Sequence, residues 1–126
     1  MARLIDASVF IELKRQGCPL GDTVAEALNV PYALASITAA ELLFGVERAD
    51  TSERRRRSEF VETMLAELQV VPLDLAIART HARLWAQLES NGARISPYDL
   101  IVAATAVARG YSVLTFNVRE FERVPN

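Results

Sequence analysis

Short apolar runs alternate along the chain with segments whose apolar residues recur every three or four positions. A continuous apolar run is typical of a strand buried on both faces, and the longer spacing is typical of a helix with one buried face. The predicted strands cover residues 2–5, 32–37, 70–71 and 111–116. The predicted helices cover residues 9–16, 22–28, 38–46, 52–68, 77–91, 96–107 and 119–123. This alternation predicts a three-layer α/β fold, with a short, mostly parallel sheet between helices.

Composition narrows the classes of protein and of site. The length of 126 residues and a hydrophobic share of 51% suit one domain, expected to span residues 1–126. A net charge of -2 does not indicate general attraction to nucleic acid, so such a partner would need a local site or a bound cation. The single cysteine, Cys18, and the single histidine, His81, exclude an intrachain disulfide and a Cys/His zinc site. No secretory leader and no membrane-length apolar run is visible, so we expect a cytoplasmic protein with no membrane partner.

Four polar side chains fall where an open parallel sheet usually places its sites, beyond the carboxyl ends of the strands. Asp6 follows the first predicted strand and Asn117 the last, while Glu41 and Asp99 are predicted in the first turns of helices that adjoin strands. Clustered carboxylates raise each other's pKa unless a cation lies between them. Mg²⁺ and Mn²⁺ prefer oxygen ligands. If the strands are neighbours, the sequence allows a divalent metal site that could bind a phosphate.

Each of these residues also has a purely structural interpretation. Thr38-x-x-Glu41 and Ser96-x-x-Asp99 both fit a capping box, in which the hydroxyl and the acid hold the start of a helix. Ser8 likewise suits the cap of the first helix, and Gly110 suits the end of the helix over residues 96–107. Asp6 and Asn117 are both good turn residues. Spacing alone leaves capping and metal binding open.

Local sequence adds a resemblance that spans nearly the whole chain. Residues 4–11, LIDASVFI, place an acid after a strand and a small hydroxyl two positions on. Residues 36–46, SITAAELLFGV, contain a central glutamate; residues 95–106, ISPYDLIVAATA, place an aspartate before an alanine-rich helix. Residues 114–121, LTFNVREF, close the series. In this order the four segments resemble the motifs of PIN-domain ribonucleases, and in particular the VapC toxins of VapBC toxin–antitoxin pairs.

The resemblance implies an endoribonuclease that uses Mg²⁺ or Mn²⁺. It implies a cognate VapB-type antitoxin as inhibitor, and a homodimer that can join a larger toxin–antitoxin complex. Asp6, Glu41 and Asp99 would supply the metal-binding carboxylates. Three hydroxyl residues are candidates to support the metal ligands or to contact the substrate: Ser8 and Thr115, and in addition Thr38.

The chain departs from the family at one position. VapC-type proteins often carry a fourth acid where this chain has Asn117, which puts a second tightly bound metal in doubt. Glu120, one helical turn further on, is a candidate replacement. Arg94 and Arg119 lie near the acids in sequence and are candidate phosphate contacts. The RNA that would be cut is not indicated.

Two further patterns concern surfaces. Four arginines at residues 54–57 open one predicted helix and are interpreted as a solvated face balanced by glutamates, with RNA guidance as the alternative. His81 is interpreted as a partly buried structural residue. Several apolar residues exceed what a small sheet can cover: Phe10, Ile11, Leu13, Leu42, Leu43, Phe44 and Val46. An exposed apolar groove is predicted there, and in the resembled family such a surface receives an amphipathic antitoxin segment.

Three rival functions can be compared with this one. A signalling receiver domain would need an acid pair after the first strand and a late lysine, whereas Ala7 follows Asp6 and the only lysine is Lys14. A PIN-like protein-binding module without catalysis is favoured only by Asn117. A metal-dependent DNA nuclease would carry larger insertions to hold a duplex.

Overall fold

The computed structural model describes residues 2–15 and 31–125, in which four strands and six helices alternate. The first half contains β1 (Arg3–Ile5), α1 (Ala7–Arg15), β2 (Tyr32–Ala35), α2 (Ser36–Arg48) and α3 (Thr51–Glu67). The second half contains β3 (Gln69–Val71), α4 (Leu75–Ser90), α5 (Pro97–Arg109), β4 (Ser112–Leu114) and α6 (Val118–Glu122). The helix predicted over residues 22–28 lies outside the described residues.

The strands form one parallel sheet in the order β3-β2-β1-β4. Leu4 in β1 is level with Ala33 in β2 and with Val113 in β4. Because all four strands run the same way, their carboxyl ends meet at one edge of the sheet. The two central strands, β1 and β2, lead directly into α1 and α2 at that edge.

Successive strand residues face opposite cores, which is why the strands read as continuous apolar runs. Leu4 packs with residues of α4 and α5, including Leu84 and Val102. Its neighbour Ile5 packs on the other side with Phe10 of α1 and Met64 of α3. The predicted three-layer arrangement is confirmed, with helices covering both faces of the sheet.

Two predicted helix starts are wrong. α1 begins at Ala7, so Ser8 lies inside its first turn and does not cap it. α2 begins at Ser36, and its N-cap is Ala35, which makes no side-chain capping bond. Thr38 is fully buried in the first turn of α2 and caps nothing. The reason is the same in both places: the strand passes into the helix almost without a loop, which leaves no position for a separate capping residue.

The other helix boundaries follow local chemistry more closely. Ser96 is the N-cap of α5, where its hydroxyl accepts a 3.5 Å hydrogen bond from the Asp99 N–H. Gly110 ends the same helix in the left-handed region, with φ of 70°, which a residue with a Cβ adopts at a cost. Asp50 and Asp74 cap α3 and α4. Within residues 2–15 and 31–125, no helix combines the length and apolarity that crossing a membrane requires.

Candidate active site

Asp6 lies at the centre of the edge where the strands end. It links β1 to α1, its backbone N–H donates to the Leu114 carbonyl at 2.9 Å, and its side chain is almost completely buried. Two hydroxyls donate to its Oδ2 atom, Ser8 Oγ and Thr115 Oγ1, each at 2.8 Å. Both hydroxyls hold the same carboxylate oxygen, so Oδ1 lies outside this pair of bonds. The carboxylate is therefore fixed in orientation.

The two hydroxyls are themselves oriented by the backbone after β4. The Phe116 N–H donates to Ser8 Oγ at 3.1 Å, and the Asn117 N–H donates to Thr115 Oγ1 at 2.8 Å. Each hydroxyl thus accepts from an amide and donates to Asp6. This arrangement places the Ser8 and Thr115 hydroxyls directly against the Asp6 carboxylate.

Glu41 projects from the second turn of α2, five residues past the helix start. A capping acid would stand in the first turn, so the capping interpretation of Glu41 is wrong. The side chain is half-buried, and its pKa is raised by that burial and, to a smaller extent, by the negative charge of Asp6. Glu41 and Asp6 therefore share one electrostatic environment.

Asp99 lies in the first turn of α5 and senses the other acids. Burial is the largest cause that raises its pKa, followed by a hydrogen bond with Glu120 and by the charges of Asp6, Glu120 and Glu41. Together these causes raise the pKa of Asp99 to about 7. Asp6, Glu41 and Glu120 thus all act electrostatically on Asp99 at the carboxyl edge of the sheet.

Glu120 makes the capping bond to the Ser96 N–H for which Asp99 was the candidate in the sequence. Its Oε1 accepts the Ser96 N–H at 2.6 Å, and its pKa is lowered by the hydrogen bond with Asp99 and by this backbone donor. The backbone bond that would close a Ser96–Asp99 capping box therefore goes to a residue of α6. The Asp99 side chain is left to face the other carboxylates.

The remaining predicted site residues lie further out. Asn117 is exposed three residues beyond β4, at the N-cap of α6, and its side chain makes no capping bond. Arg119 is exposed on α6. Thr38 is fully buried, and its hydroxyl has no hydrogen-bond partner among the described residues. Arg94 borders a separate cavity of about 630 Å³ beside His81 and Trp85, so neither Arg94 nor His81 adjoins the groove described below.

The carboxylates suit a hard cation by donor type and by charge. They are oxygen donors that repel one another, and a cation between them would remove that repulsion. In the described conformation no three His, Cys, Asp or Glu side chains of residues 2–15 and 31–125 are close enough to form a metal-holding group. Mg²⁺ usually keeps several waters and takes one or two carboxylates from a protein, so a wide acidic set is compatible with it. The fit is thus one of chemistry, without a closed shell of ligands.

The carboxyl edge of the sheet, which carries Asp6, Glu41 and Asp99, is called the acidic edge below. An apolar groove of about 620 Å³ adjoins it at Glu41. Its walls come from α1, α2, α3 and the start of α5, and include Phe10, Glu41, Phe60 and Tyr98. Ile11 and Phe44 are 57% and 60% exposed there. The predicted exposed apolar surface is therefore present, although Phe10 and Val46 are buried and Leu13 is outside the described side chains.

Sequence reasoning missed two features of this region. The bond from the Ser96 N–H to Glu120 joins residues 24 positions apart, and no local pattern indicates it. Arg57 was grouped with its three neighbours, although the helical spacing of residues 57, 60 and 61 would have placed it on the same face as Phe60 and Val61. Both side chains line the groove with Arg57.

Comparison with known proteins agrees with the fold. The family model described as PIN domain matches residues 3–126. Ribonuclease VapC1 of Rickettsia felis is 30% identical over 98% of this chain and 91% of its own length. The tRNA(fMet)-specific endonuclease VapC of Salmonella typhimurium is 37% identical over 73% of this chain and 68% of its own length.

A solved structure extends the comparison. The crystal structure of DNA bound VapBC from Salmonella typhimurium superposes with a TM-score of 0.89 at 28% identity, over 99% of this chain and 93% of that one. A four-stranded parallel sheet between helices is the fold that this chain shares with the PIN-domain proteins it matches. The chain belongs to the PIN-domain family and, within it, to the VapC ribonucleases.

Proposed function

We propose that this protein is the toxin of a toxin–antitoxin pair and acts as an endoribonuclease that depends on Mg²⁺ or Mn²⁺. The observation that carries the proposal is the position of Asp6, Glu41 and Asp99, whose charges act on one another at the carboxyl edge of the sheet. A bound divalent ion would supply a positive charge for the phosphate and an acidified water. The relatives named ribonuclease and endonuclease support RNA as the substrate.

Each carboxylate has a distinct task in this proposal. Asp6 is held rigidly by Ser8 and Thr115, so it would fix the position of the ion. Asp99 would bind the ion in its ionised form, which a cation favours by lowering the pKa that burial and like charges have raised. Glu41 would orient the attacking water, because it borders both the acidic edge and the open groove. Glu120 would hold the start of α5 and thereby the direction of Asp99.

The apolar groove supports the second half of the proposal. An exposed apolar groove beside an active site suits an amphipathic segment of a partner protein. A solved structure similar to this chain, VapBC-5 of Mycobacterium tuberculosis, is described as a member of the VapBC family of toxin-antitoxin systems. A VapB-type antitoxin would lay such a segment in the groove and direct a cationic side chain at the carboxylates.

Metal-dependent cleavage of an unstructured RNA tests the enzymatic part. We expect wild-type protein to cut the RNA with Mg²⁺ or Mn²⁺ and to stop when a chelator is added. Asp6→Asn and Asp99→Asn should each lose at least a hundredfold in rate, because each removes a charge while keeping the shape of the side chain. Glu62→Gln, at an exposed acid of α3, is the matched control and should cut normally. Full cleavage by Asp99→Asn would refute the proposal, and a DNA strand of the same sequence tests the substrate class.

A further inference from the structure

The groove carries opposite charges at its two ends. One residue, Asp6, separates β1 from α1, and α2 begins directly after β2, so both helices start at the acidic edge and lead away from it. Glu41 lines the groove near that edge. Arg15, the last residue of α1, and Arg57, whose Nη1 donates to the Gly45 carbonyl late in α2, line the opposite end. A segment that fills the groove therefore meets a negative end and a positive end.

Arg57 differs from the other arginines of its run. The first three each pair with a glutamate: Arg54 with Glu47 at 2.7 Å, Arg55 with Glu59 at 3.3 Å and Arg56 with Glu53 at 4.0 Å. Arg57 has no ion-pair partner among the described residues, and its charge acts only weakly on Asp50. The prediction of a solvated face balanced by glutamates thus holds for three arginines and fails for the fourth.

The hydrogen-bonding capacity of Arg57 is largely unused. Its side chain is half-buried, its Nε is buried without a hydrogen-bond partner among the described residues, and its one bond, to the Gly45 carbonyl, is 3.4 Å long. A guanidinium has five N–H donors in a planar fork, and a buried donor without an acceptor is costly. A hydrogen-bond acceptor that enters the groove would therefore bind favourably to the Arg57 guanidinium.

We infer that Arg57 recognises a carboxylate of the segment that occupies the groove, so the antitoxin carries an Asp or Glu at this end of an otherwise apolar stretch. This inference rests on the proposed docking of an antitoxin in the groove. A carboxylate matches the guanidinium fork through two parallel hydrogen bonds. Arg15 is a weaker candidate, since it is 75% exposed and already lies 3.7 Å from Glu12.

The single half-buried charge of Arg57 and the apolar side chains that line the groove favour a peptide over RNA as the occupant. Phe10, Phe44 and Phe60 line the same groove, and Arg57 is half-buried beside them. Nucleic acid carries a phosphate at every nucleotide, which would place several charges against these apolar side chains. A peptide can instead present one carboxylate among apolar residues. Gly45, whose carbonyl accepts from Arg57, is four residues past Glu41, which is about 6 Å along α2. An extended peptide covers that distance in about two residues. The peptide acid that binds Arg57 would therefore lie about two residues from the peptide residue next to Glu41.

Peptide selection tests this inference without knowledge of the natural antitoxin. A phage-displayed library of random 12-residue peptides is selected separately on wild type, Arg57→Gln, Arg57→Glu and Arg56→Gln. Wild type and the Arg56→Gln control should enrich apolar peptides with an Asp or Glu at a fixed offset. Arg57→Gln should keep the apolar pattern and lose the acid, and Arg57→Glu should replace it with Lys or Arg.

Affinities of a selected peptide make the test quantitative. Fluorescence anisotropy should show about a tenfold loss for Arg57→Gln and for the peptide with its acid changed to the amide. Combining both changes should cost little more than either alone, because they remove the same interaction. Arg57→Lys keeps the charge and serves as a second variant if Arg57→Gln unfolds, which circular dichroism would detect.

Several results would overturn the inference, and they are distinguishable. The same acidic consensus on wild type and both Arg57 variants would exclude Arg57 as its partner. Equal binding of the peptide by wild type and Phe44→Ser, or no enrichment at all, would reject the groove as a docking site and the inference with it.

Two other results would assign these residues to a different partner. RNA cleavage that falls in Arg57→Gln while peptide binding stays unchanged would assign Arg57 to RNA. A change in molecular mass for Arg57→Glu in light scattering would assign the groove to a second copy of the chain. RNA cleavage by the wild type is measured separately. Its absence would count against the proposed enzymatic function and would not be confused with any of these results.

Discussion

Replacing Asp99 by asparagine should stabilise the metal-free protein while abolishing cleavage. Asp99 is held among Asp6, Glu41 and Glu120, and its pKa rises from 3.8 to about 7 chiefly because it is buried. The folded state thus binds this proton more tightly than the unfolded state does. Between about pH 4 and pH 7 the contribution of this group to the free energy of unfolding falls as the pH rises. At pH 8 the folded protein carries the full penalty.

The size of the penalty follows from that pKa rise. A shift from 3.8 to about 7 corresponds to an upper bound of about 4 kcal/mol, at about 1.4 kcal/mol for each pKa unit. The site is open to water, so screening reduces this to about 1–2 kcal/mol. An asparagine amide removes the charge, and its N–H can donate to Glu120 as the protonated carboxyl does. We therefore expect Asp99→Asn to raise the melting temperature by about 3–10 °C at pH 8 without metal.

Calorimetry with a chelator at pH 4, 6 and 8 measures this effect. The difference in stability between Asp99→Asn and wild type should be near zero at pH 4 and largest at pH 8. Added Mg²⁺ should stabilise wild type more than the variant, because the ion relieves the same repulsion. The Glu62→Gln control should show no such pH trend. A variant that is less stable than wild type at pH 8, or a difference that does not change with pH, would refute the electrostatic reasoning.

Three further expectations concern separate parts of the chain. Cleavage at limiting Mg²⁺ should rise about tenfold per pH unit from pH 5 to about 7, because the cation needs the ionised form of Asp99; a flat profile in a pH series would contradict this. Thr115→Val removes one of the two hydroxyl bonds to Asp6 and should weaken Mg²⁺ activation of RNA cleavage about tenfold; an unchanged Mg²⁺ titration would argue against a positioning role. Gly110→Ala should lower the free energy of unfolding by about 1 kcal/mol, because φ is 70° there. Gly45→Ala, in a helix with open space around it, should raise that free energy by up to about 1 kcal/mol, and urea unfolding that gave both glycines the same sign would contradict the argument.

The parts of the fold that the sequence predicted depend on local chemistry. The short apolar runs located all four strands because β1 and β2 are largely buried and β3 and β4 each place apolar residues in or against a core. Ser96 and Gly110 marked the ends of α5 because a cap hydroxyl and a left-handed glycine act within one turn. Asp6 was placed correctly at a strand end for the same reason.

The parts that failed depend on how elements join or meet. The sequence around Ser8 and Thr38 does not indicate that each strand runs into its helix almost without a loop, so both residues were compatible with caps that the structure does not form. A capping box would pair the Ser96 N–H with the nearby Asp99, one of the two interpretations that the spacing left open, whereas the fold supplies Glu120 from another helix. That Arg57 has no ion-pair partner within residues 2–15 and 31–125 likewise becomes evident only when the glutamate partners of Arg54, Arg55 and Arg56 are known.

The same electrostatic cost connects the metal, the substrate and the proposed inhibitor. Burial and mutual repulsion raise the pKa values of Glu41 and Asp99, so any cation that reaches them is favoured. A divalent ion relieves the repulsion between the carboxylates and leaves room for a phosphate. A cationic side chain of an antitoxin would relieve the same repulsion and block the phosphate. Because both relieve one repulsion, their binding should be mutually exclusive at the carboxylates. The apolar groove and Arg57 lie outside that competition, so they would give the antitoxin the affinity that lets it displace the metal.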